Sequence, residues 1–274
     1  MYRLILSLML ACTAASPAFA WGKTGHRVVA EIADHYLSDD AAAAVEEILG
    51  PESMAEAADW PDFMRSDPSD FWRSEANPWH YVTIPEGKHY DEVGAPPEGD
   101  AITALAKFRA IAVDRSAPME DRQLALRFII HIIGDLQQPL HAGNGKDRGG
   151  NFFTCYFFDE LTNLHHVWDE DLINYEELSY TEWTDWLTSK ITTEDQLVWS
   201  ATTPEQWADE SAAIRDTIYP DHQILQWEYI YQTRATLREQ LSKGGVRLAA
   251  YLNDMFACAD AAPPAETACA SSPD

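Results

Sequence analysis

Apolar residues recur along this chain at the spacing of an α-helix. One early stretch places five of them on a single helical face: Val28, Val29, Ile32, Ala33 and Tyr36. The segment 38–50, SDDAAAAVEEILG, predicts a short helix because Ser38 is a good N-cap and Gly50 a good C-terminal stop. Amphipathic patterns predict further helices over 102–113, 207–218, 225–241 and 246–256, the last two being separated by Gly244 and Gly245.

One segment, 121–138, is apolar around its whole circumference. Its large apolar residues are Leu124, Leu126, Phe128, Ile129, Ile130, Ile132, Ile133 and Leu136. A helix that is hydrophobic on every side is buried, and Pro139 would end this one. Strand-like alternation is scarce apart from 152–158, FFTCYFF. We therefore expect a mainly α, single-domain helical bundle with few or no short strands.

The first twenty residues have the features of a secretory signal peptide. A positive charge at Arg3 precedes an apolar stretch at 4–11, and small residues end the segment at Ala20. Cleavage after Ala20 would make Trp21 the first residue of a secreted or periplasmic protein. An alternative is lipoprotein cleavage before Cys12, which would leave Trp21 inside the chain. No other apolar run is long enough to span a membrane, so we expect no stable membrane association. We also expect a monomer.

Three cysteines would remain after processing. Cys258 and Cys269 flank an alanine- and proline-rich stretch, and we expect a disulfide between them to order part of the tail, 257–274. Cys155 would then be a free buried thiol.

The chain is strongly acidic. It contains 45 Asp and Glu against 19 Lys and Arg, for a formal net charge of −26. This balance argues against nucleic-acid binding through a basic groove. Any site that handles phosphate must therefore bring its own positive charge.

Ionisable residues interrupt the apolar helix at 121–138. His131 and Asp135 are four residues apart, so both lie on one face and can reach a single ion. His141 follows the proline break and could turn back toward them. For one isolated pair, a hydrogen bond between the histidine and the aspartate inside the core is an equally good interpretation.

A second pair favours a metal site. His165 and Asp169 repeat the spacing of four in NLHHVWDED, a segment that we predict to be helical. Other polar residues near tryptophans are His26 in WGKTGH, His80 in NPWHY and Asp62 in DWPDFMR. Imidazole and carboxylate ligands without thiolate suit a catalytic zinc site with open positions, although manganese and iron share this ligand preference.

These motifs together resemble a known family. The ordered set W-G-x-x-G-H, W-x-D-x-x-R, W-H-Y, H-x-x-x-D, G-G-N and N-L-H-x-x-W-D, between residues 21 and 169, is similar to the zinc-dependent single-strand nucleases and 3′-nucleotidases typified by mung-bean nuclease. The resemblance implies a helical fold of the phospholipase C/nuclease type over 21–256. It also implies three zinc ions per chain.

The resemblance assigns the ligands as follows. One zinc would be held by Asp62, His80, His131 and Asp135, a neighbouring zinc by Trp21, His26 and the shared Asp135, and a third by His141, His165 and Asp169. Trp21 would bind through its α-amino nitrogen and its carbonyl, which requires signal-peptide cleavage. Three dications would outweigh three aspartates, so an acidic chain would still hold a phosphate there.

The resemblance also implies a reaction. A water or hydroxide shared by two close zincs would attack phosphorus, with Asp62 and Asp135 as catalytic ligands, and would release 5′-nucleotides from single-stranded DNA or RNA. Arg65 would contact the phosphate, Tyr81 would stack on a base, and Asn151 would lie near the phosphate or base. Without the motifs, Arg65 would be interpreted as a surface arginine and Tyr81 as a core residue.

Two positions depart from the best-known family members. Val167 and Thr83 stand where those members have acidic residues, so their base preference does not carry over. Two other functions remain as alternatives. One is a zinc phospholipase C on the same scaffold, which would need an apolar mouth for acyl chains, and the other is a secreted zinc-binding protein without turnover.

Overall fold

The structure, a computed structural model, describes residues 21–257. The predicted signal peptide, the alternative cleavage site at Cys12, and the predicted disulfide between Cys258 and Cys269 in the tail all lie outside the described residues. The helices within them are α1 (Lys23–Asp34), α2 (Asp39–Leu49), α3 (Met54–Met64), α4 (Tyr90–Val93), α5 (Ala101–Val113), α6 (Met119–Asp135), α7 (Leu164–His166), α8 (Leu172–Asn174), α9 (Tyr180–Thr188), α10 (Thr193–Ser200), α11 (Pro204–Ile218) and α12 (Trp227–Ala257). The expectation of a mainly α chain is confirmed.

Helix ends follow the local capping signals. Ser38 accepts a hydrogen bond from the amide of Ala41 at the start of α2, and Gly50 follows its end with φ 65°. Ser53 and Glu56 form a reciprocal capping box at the start of α3, the helix that carries Asp62. The sequence contained this signal, although our pattern analysis did not include a helix there.

The predicted buried helix is α6, and it packs against α3, α5 and α12. It ends at Asp135, three residues earlier than we predicted, and Gln138 is already extended (ψ 115°). The residue before a proline avoids the helical region, which explains the early break before Pro139. The carbonyl groups freed at this end accept hydrogen bonds from other helices: Leu136 O from Ser211 and Gln137 O from Gln240.

The expectation of two helices divided by Gly244 and Gly245 is wrong, because α12 is continuous through both glycines. A Cβ at Gly245 would overlap the side chain of Ile32 on α1, and one at Gly244 would lie 3.0 Å from Cγ2 of Val29. The two glycines therefore let α12 approach α1 closely. Glycine costs a helix about 1 kcal/mol of propensity relative to alanine, but a residue with a Cβ would not fit against α1 at Gly245.

Five short strands are present among the described residues: β1 (Val82–Thr83), β2 (Ala142–Gly143), β3 (Thr154–Phe157), β4 (Glu160–Asn163) and β5 (Ile224–Leu225). β1 and β2 pair in parallel, and β3 lies between antiparallel β4 and parallel β5. β3 falls within the segment 152–158 that we predicted to be β-prone. The pairing of β1 with β2 brings the loop after residue 143 beside the residues that follow His80.

Cys155 on β3 is buried and free, as expected, and burial raises the pKa of its thiol to about 12. Within 21–257, we find no helix with the length and apolar character needed to cross a bilayer.

Candidate metal centre and substrate site

Five buried polar side chains meet where α1, α3 and α6 pack together. His26 comes from α1, Asp62 from α3, and His131 and Asp135 from α6. His80 ends a single 3₁₀ turn, Asn77–His80, that leads into β1. Elements far apart in sequence thus place imidazoles and carboxylates in one small volume.

Asp135 lies at the centre of this group. Its Oδ2 is 3.2 Å from Nε2 of His131 and 3.2 Å from Nδ1 of His80, and its Oδ1 is 3.3 Å from Nε2 of His26. Oδ1 of Asp62 is 3.8 Å from the same nitrogens of His80 and His131. Asp135 is therefore positioned between two sets of donors, His80 with His131 on one side and His26 on the other.

A second group lies nearby. Its members are His141, which ends the 3₁₀ turn Pro139–His141, together with His165 on α7 and Asp169. Nε2 of His165 is 3.2 Å from Oδ2 of Asp169. Asp169 lies in a π-helical turn, Val167–Asp171, that continues α7, so the prediction of helix for this segment is confirmed. His141 and Asp135 approach to 3.8 Å, which joins the two groups.

Backbone carbonyls orient three of the imidazoles. His131 donates from Nδ1 to Ala58 O (2.7 Å), and His141 donates from Nδ1 to His80 O (2.6 Å). His165 donates from Nδ1 to Gly149 O (2.6 Å). Because a carbonyl can only accept, Nδ1 carries a proton in each ring, and Nε2 has a lone pair for a cation whenever the ring is neutral. This arrangement is typical of metal-binding histidines.

The unpaired buried atoms test whether a cation fits. Both carboxylate oxygens of Asp135, both ring nitrogens of His26, and Nε2 of His80 and of His141 are buried without a hydrogen-bond partner. Buried polar atoms without partners are unfavourable by about 1–3 kcal/mol each. A divalent cation would satisfy several of them at once, so these residues fit metal binding.

Electrostatics favour the same conclusion. Burial, helped by neighbouring imidazoles, holds the pKa of His26, His80 and His141 well below the usual value. Burial also raises the pKa of Asp135 to about 7 and that of Asp169 well above its usual range. The environment thus favours neutral imidazoles at these three positions, whereas Asp135 and Asp62 outweigh burial at His131 and raise its pKa to about 9. A bound cation would favour the neutral imidazole of His131 and the anionic carboxylates.

Gln138 links the two groups, and sequence analysis missed it. This buried side chain donates from Nε2 to Oδ1 of Asp169 (2.5 Å), while its Oε1 accepts from the amide of Leu140 (2.6 Å). In the sequence, Gln138 lies between the proposed ligands Asp135 and His141. Its partner is 31 residues away in sequence, so no local signal indicated this contact.

Trp21 lies directly against the same site. Its side chain is fully buried and contacts the region of Gly25 and Gly134, the latter next to Asp135. The amide of Gly22 donates to Asp169 O (2.8 Å), which attaches this end of the described chain to the π-helical turn.

The three predicted substrate residues differ in their surroundings. Nη1 of Arg65 is 3.5 Å from Oδ1 of Asp62, and Nη2 is 3.4 Å from Oδ1 of Asn77. Tyr81, next to His80, is 40% exposed. The side chain of Asn151 donates to Arg148 O (2.8 Å) within its own loop.

The remaining histidines lie apart from this centre. His35, His89, His166 and His222 are exposed. His165 is buried and faces Asp169, whereas neighbouring His166 points toward Asp171, 3.7 Å away.

Comparison with known proteins identifies the family. A model of the family described as S1/P1 Nuclease matches residues 21–257, which are all of the described residues. The chain therefore belongs to the S1/P1 nuclease family, and it is a nuclease.

Named relatives agree over most of their length. The chain is 32% identical to Endonuclease 2 of Arabidopsis thaliana, over 89% of this chain and 93% of the relative. It is also 32% identical to Nuclease P1 of Penicillium citrinum, over 86% and 97% of the two chains. The solved structure of Alpha Toxin from Clostridium absonum aligns with 88% of this chain and 67% of its own, with a TM-score of 0.48 and 16% identity, too distant a likeness to bear on function.

Proposed function

We propose that the protein hydrolyses single-stranded DNA and RNA to 5′-nucleotides and removes phosphate from 3′-nucleotides, using three zinc ions. The observation that carries this proposal is the position of Asp135, whose two buried, unpaired oxygens lie between His26 and the pair His80 and His131. A carboxylate in this position suits a bridge between two cations. The protein would act as a monomer in the periplasm or outside the cell, after cleavage behind Ala20.

The proposed ligand sets use the residues in these contacts. Asp62, His80, His131 and Asp135 would hold one zinc, and Trp21, His26 and Asp135 the next. His141, His165 and Asp169 would hold the third. Support for the last set comes from ligand atoms that all lie within 4.8 Å of one another.

Bound zinc would supply Lewis acidity and lower the pKa of water, so no separate general base is needed. The guanidinium of Arg65 would contact the phosphoryl oxygens, where its planar fork can stabilise the charge that grows in the transition state. Asp62 accepts from Arg65 and so orients it toward the centre.

Single-strand preference would come from Tyr81. Its exposed ring next to His80 offers a surface on which one unpaired base can stack, and a base inside a duplex has no free face for it. Asn151 would complete this side of the site through its loop, with its amide close to the phosphate or base.

A hydrolysis assay tests the proposal. Purified protein loaded with zinc should cleave single-stranded DNA, single-stranded RNA and 3′-AMP, and a chelator should abolish all three activities. Duplex DNA serves as the matched control and should be cleaved much more slowly. Failure to cleave any of the three substrates with zinc bound would contradict the proposal.

A further inference from the structure

The loop that follows β2 presents an exposed cation and an exposed ring beside the proposed active site. Arg148 and Phe152 are both exposed, and the guanidinium carbon of Arg148 lies 5.1 Å from the centre of the Phe152 ring. The ring is 64% exposed. Among the described residues, no carboxylate forms an ion pair with Arg148, whose guanidinium lies over the Phe152 ring.

The loop that contains Arg148 and Phe152 contacts the candidate metal centre. Gly149 O accepts from Nδ1 of His165, and a Cβ at Gly149 would overlap the carbonyl of Leu140. The side chain of Arg148 therefore begins one residue from a group that orients a proposed zinc ligand. The register of β1 and β2 pairs Thr83 with Gly143, so the loop that follows β2 begins beside the residues that follow Tyr81.

Other contacts hold the loop in shape. Asp147 accepts from the amide of Gly150 (3.1 Å) and from the hydroxyl of Tyr219 (2.7 Å), while Asn151 donates to Arg148 O. The fold therefore does not need the Arg148 and Phe152 side chains to shape this loop. Arg148 nevertheless adopts φ 56°, a left-handed conformation that is unfavourable for a residue with a Cβ. Such strain at a residue with an exposed functional group points to a role outside folding.

We propose that Phe152 and Arg148 form a subsite for the nucleotide next to the one whose base stacks on Tyr81. The neighbouring base would stack on the Phe152 ring, and its phosphate would pair with Arg148. This inference rests on the proposed nuclease function. Each nucleotide of a single strand offers the face of a base and a phosphate anion. The Phe152 ring can stack on the base and the Arg148 guanidinium can pair with the phosphate, so a nucleotide is the ligand that this subsite fits.

Substrates of different length test the subsite. Hexathymidylate would occupy both Tyr81 and Phe152, whereas thymidine 3′-phosphate has one base only. Stacking contributes about 1–3 kcal/mol per base, so Phe152→Ala should lower kcat/KM for hexathymidylate about tenfold and leave thymidine 3′-phosphate within twofold. Phe152→Trp should retain cleavage of the longer substrate. Arg148→Gln should also lower kcat/KM for hexathymidylate and leave kcat/KM for thymidine 3′-phosphate unchanged.

Tyr231→Ala provides a matched control, because Tyr231 is an 86% exposed aromatic on α12 and should affect neither substrate. An equal loss on both substrates in Phe152→Ala, or no loss on either, overturns the subsite. Wild-type protein that cleaves neither substrate refutes the proposed function instead. In that case, fluorescence anisotropy with labelled hexathymidylate still tests the subsite, since weaker binding by Phe152→Ala supports it and unchanged binding refutes it.

Discussion

The side-chain amide of Gln138 hydrogen bonds to the carboxylate of Asp169 at 2.5 Å, joining the end of α6 to the π-helical turn Val167–Asp171. Asp135 is three residues before Gln138 and His141 three after it. This one contact therefore fixes the two groups of proposed ligands relative to each other, although no ion is held by Gln138 itself.

Gln138→Leu should weaken binding of the third zinc selectively. The change removes the donor that orients Asp169, and loss of such a contact typically costs 10- to 100-fold in metal affinity. Zinc per chain can be measured by mass spectrometry during titration with a chelator. At chelator concentrations at which the wild-type protein keeps all of its zinc, the variant should have lost one ion per chain. Gln232→Ala, an exposed glutamine on α12, is the control and should match wild type. Retention of all zinc in Gln138→Leu would show that this contact does not position a ligand.

Asp135→Asn should empty more than one metal position, because its two oxygens face different donors. Asp62→Asn should release only one ion, since Asp62 contacts His80 and His131 but is not placed between the groups. Two measurements check these expectations: the number of zinc ions per chain in each variant, and the rate at which each variant still cleaves single-stranded DNA. Equal losses of one ion in both variants would contradict a bridging role for Asp135.

A protein that retains one glycine before Trp21 should lose zinc and activity, although no side chain of the site has changed. The extra peptide bond would convert the proposed amine ligand to an amide, which binds zinc poorly. The control is protein that begins at Trp21, prepared in the same way. Full zinc content and full activity with the added glycine would remove Trp21 from the ligand set.

Gly245→Ala should destabilise the fold by about 1–3 kcal/mol, since the added methyl overlaps Ile32 across the contact between α1 and α12. Gly244→Ala, where the contact with Val29 is 3.0 Å, should cost less. Urea unfolding of both variants measures the difference. If the overlap is the cause, the double variant Gly245→Ala with Ile32→Ala should lose less stability than the sum of the two single variants. A more stable Gly245→Ala protein would mean that helix propensity outweighs packing here.

Glu210 should stabilise the fold in a pH-dependent manner. It pairs with Lys243 and, at 2.5 Å, with the buried guanidinium of Arg247. Partial burial alone would raise the pKa of Glu210, but the two cations outweigh it and lower the pKa. A carboxylate with a lowered folded pKa stabilises fully above its unfolded pKa of about 4.3, and the stabilisation is lost as pH falls through the folded pKa.

Glu210→Gln should therefore reduce stability by about 1–3 kcal/mol at pH 7, less than for a fully buried ion pair because Glu210 is partly exposed. The gap between wild type and variant should close below pH 4. Thermal unfolding of metal-free samples from pH 3 to pH 7 separates this effect from zinc release. A gap that stays constant over that range would rule out the ion pairs as its source.

Local sequence was sufficient for much of the fold. α2 begins after Ser38 and ends before Gly50, as the capping preferences of these residues predict. The apolar pattern around its whole circumference identified α6 as the buried helix. The early end of α6 before Pro139 had a local cause, whereas the wrong prediction for α12 was due to packing. Gly244 and Gly245 were interpreted as a break because glycine usually weakens helices, and only their contact with α1 explains their presence inside α12.

By itself, the sequence determined which residue types were available and which pairs share a helical face. The spacing of four that joins His131 to Asp135, and His165 to Asp169, needs only helix geometry. That Asp62 and His80 reach the same centre was implied only by the family resemblance, and no residue spacing showed it. Tertiary structure alone decided that Gln138 contacts Asp169 and that Arg148 lies over the Phe152 ring. The physical reason is that helix periodicity acts over a few residues, whereas these contacts depend on how buried apolar faces fit together across the whole chain.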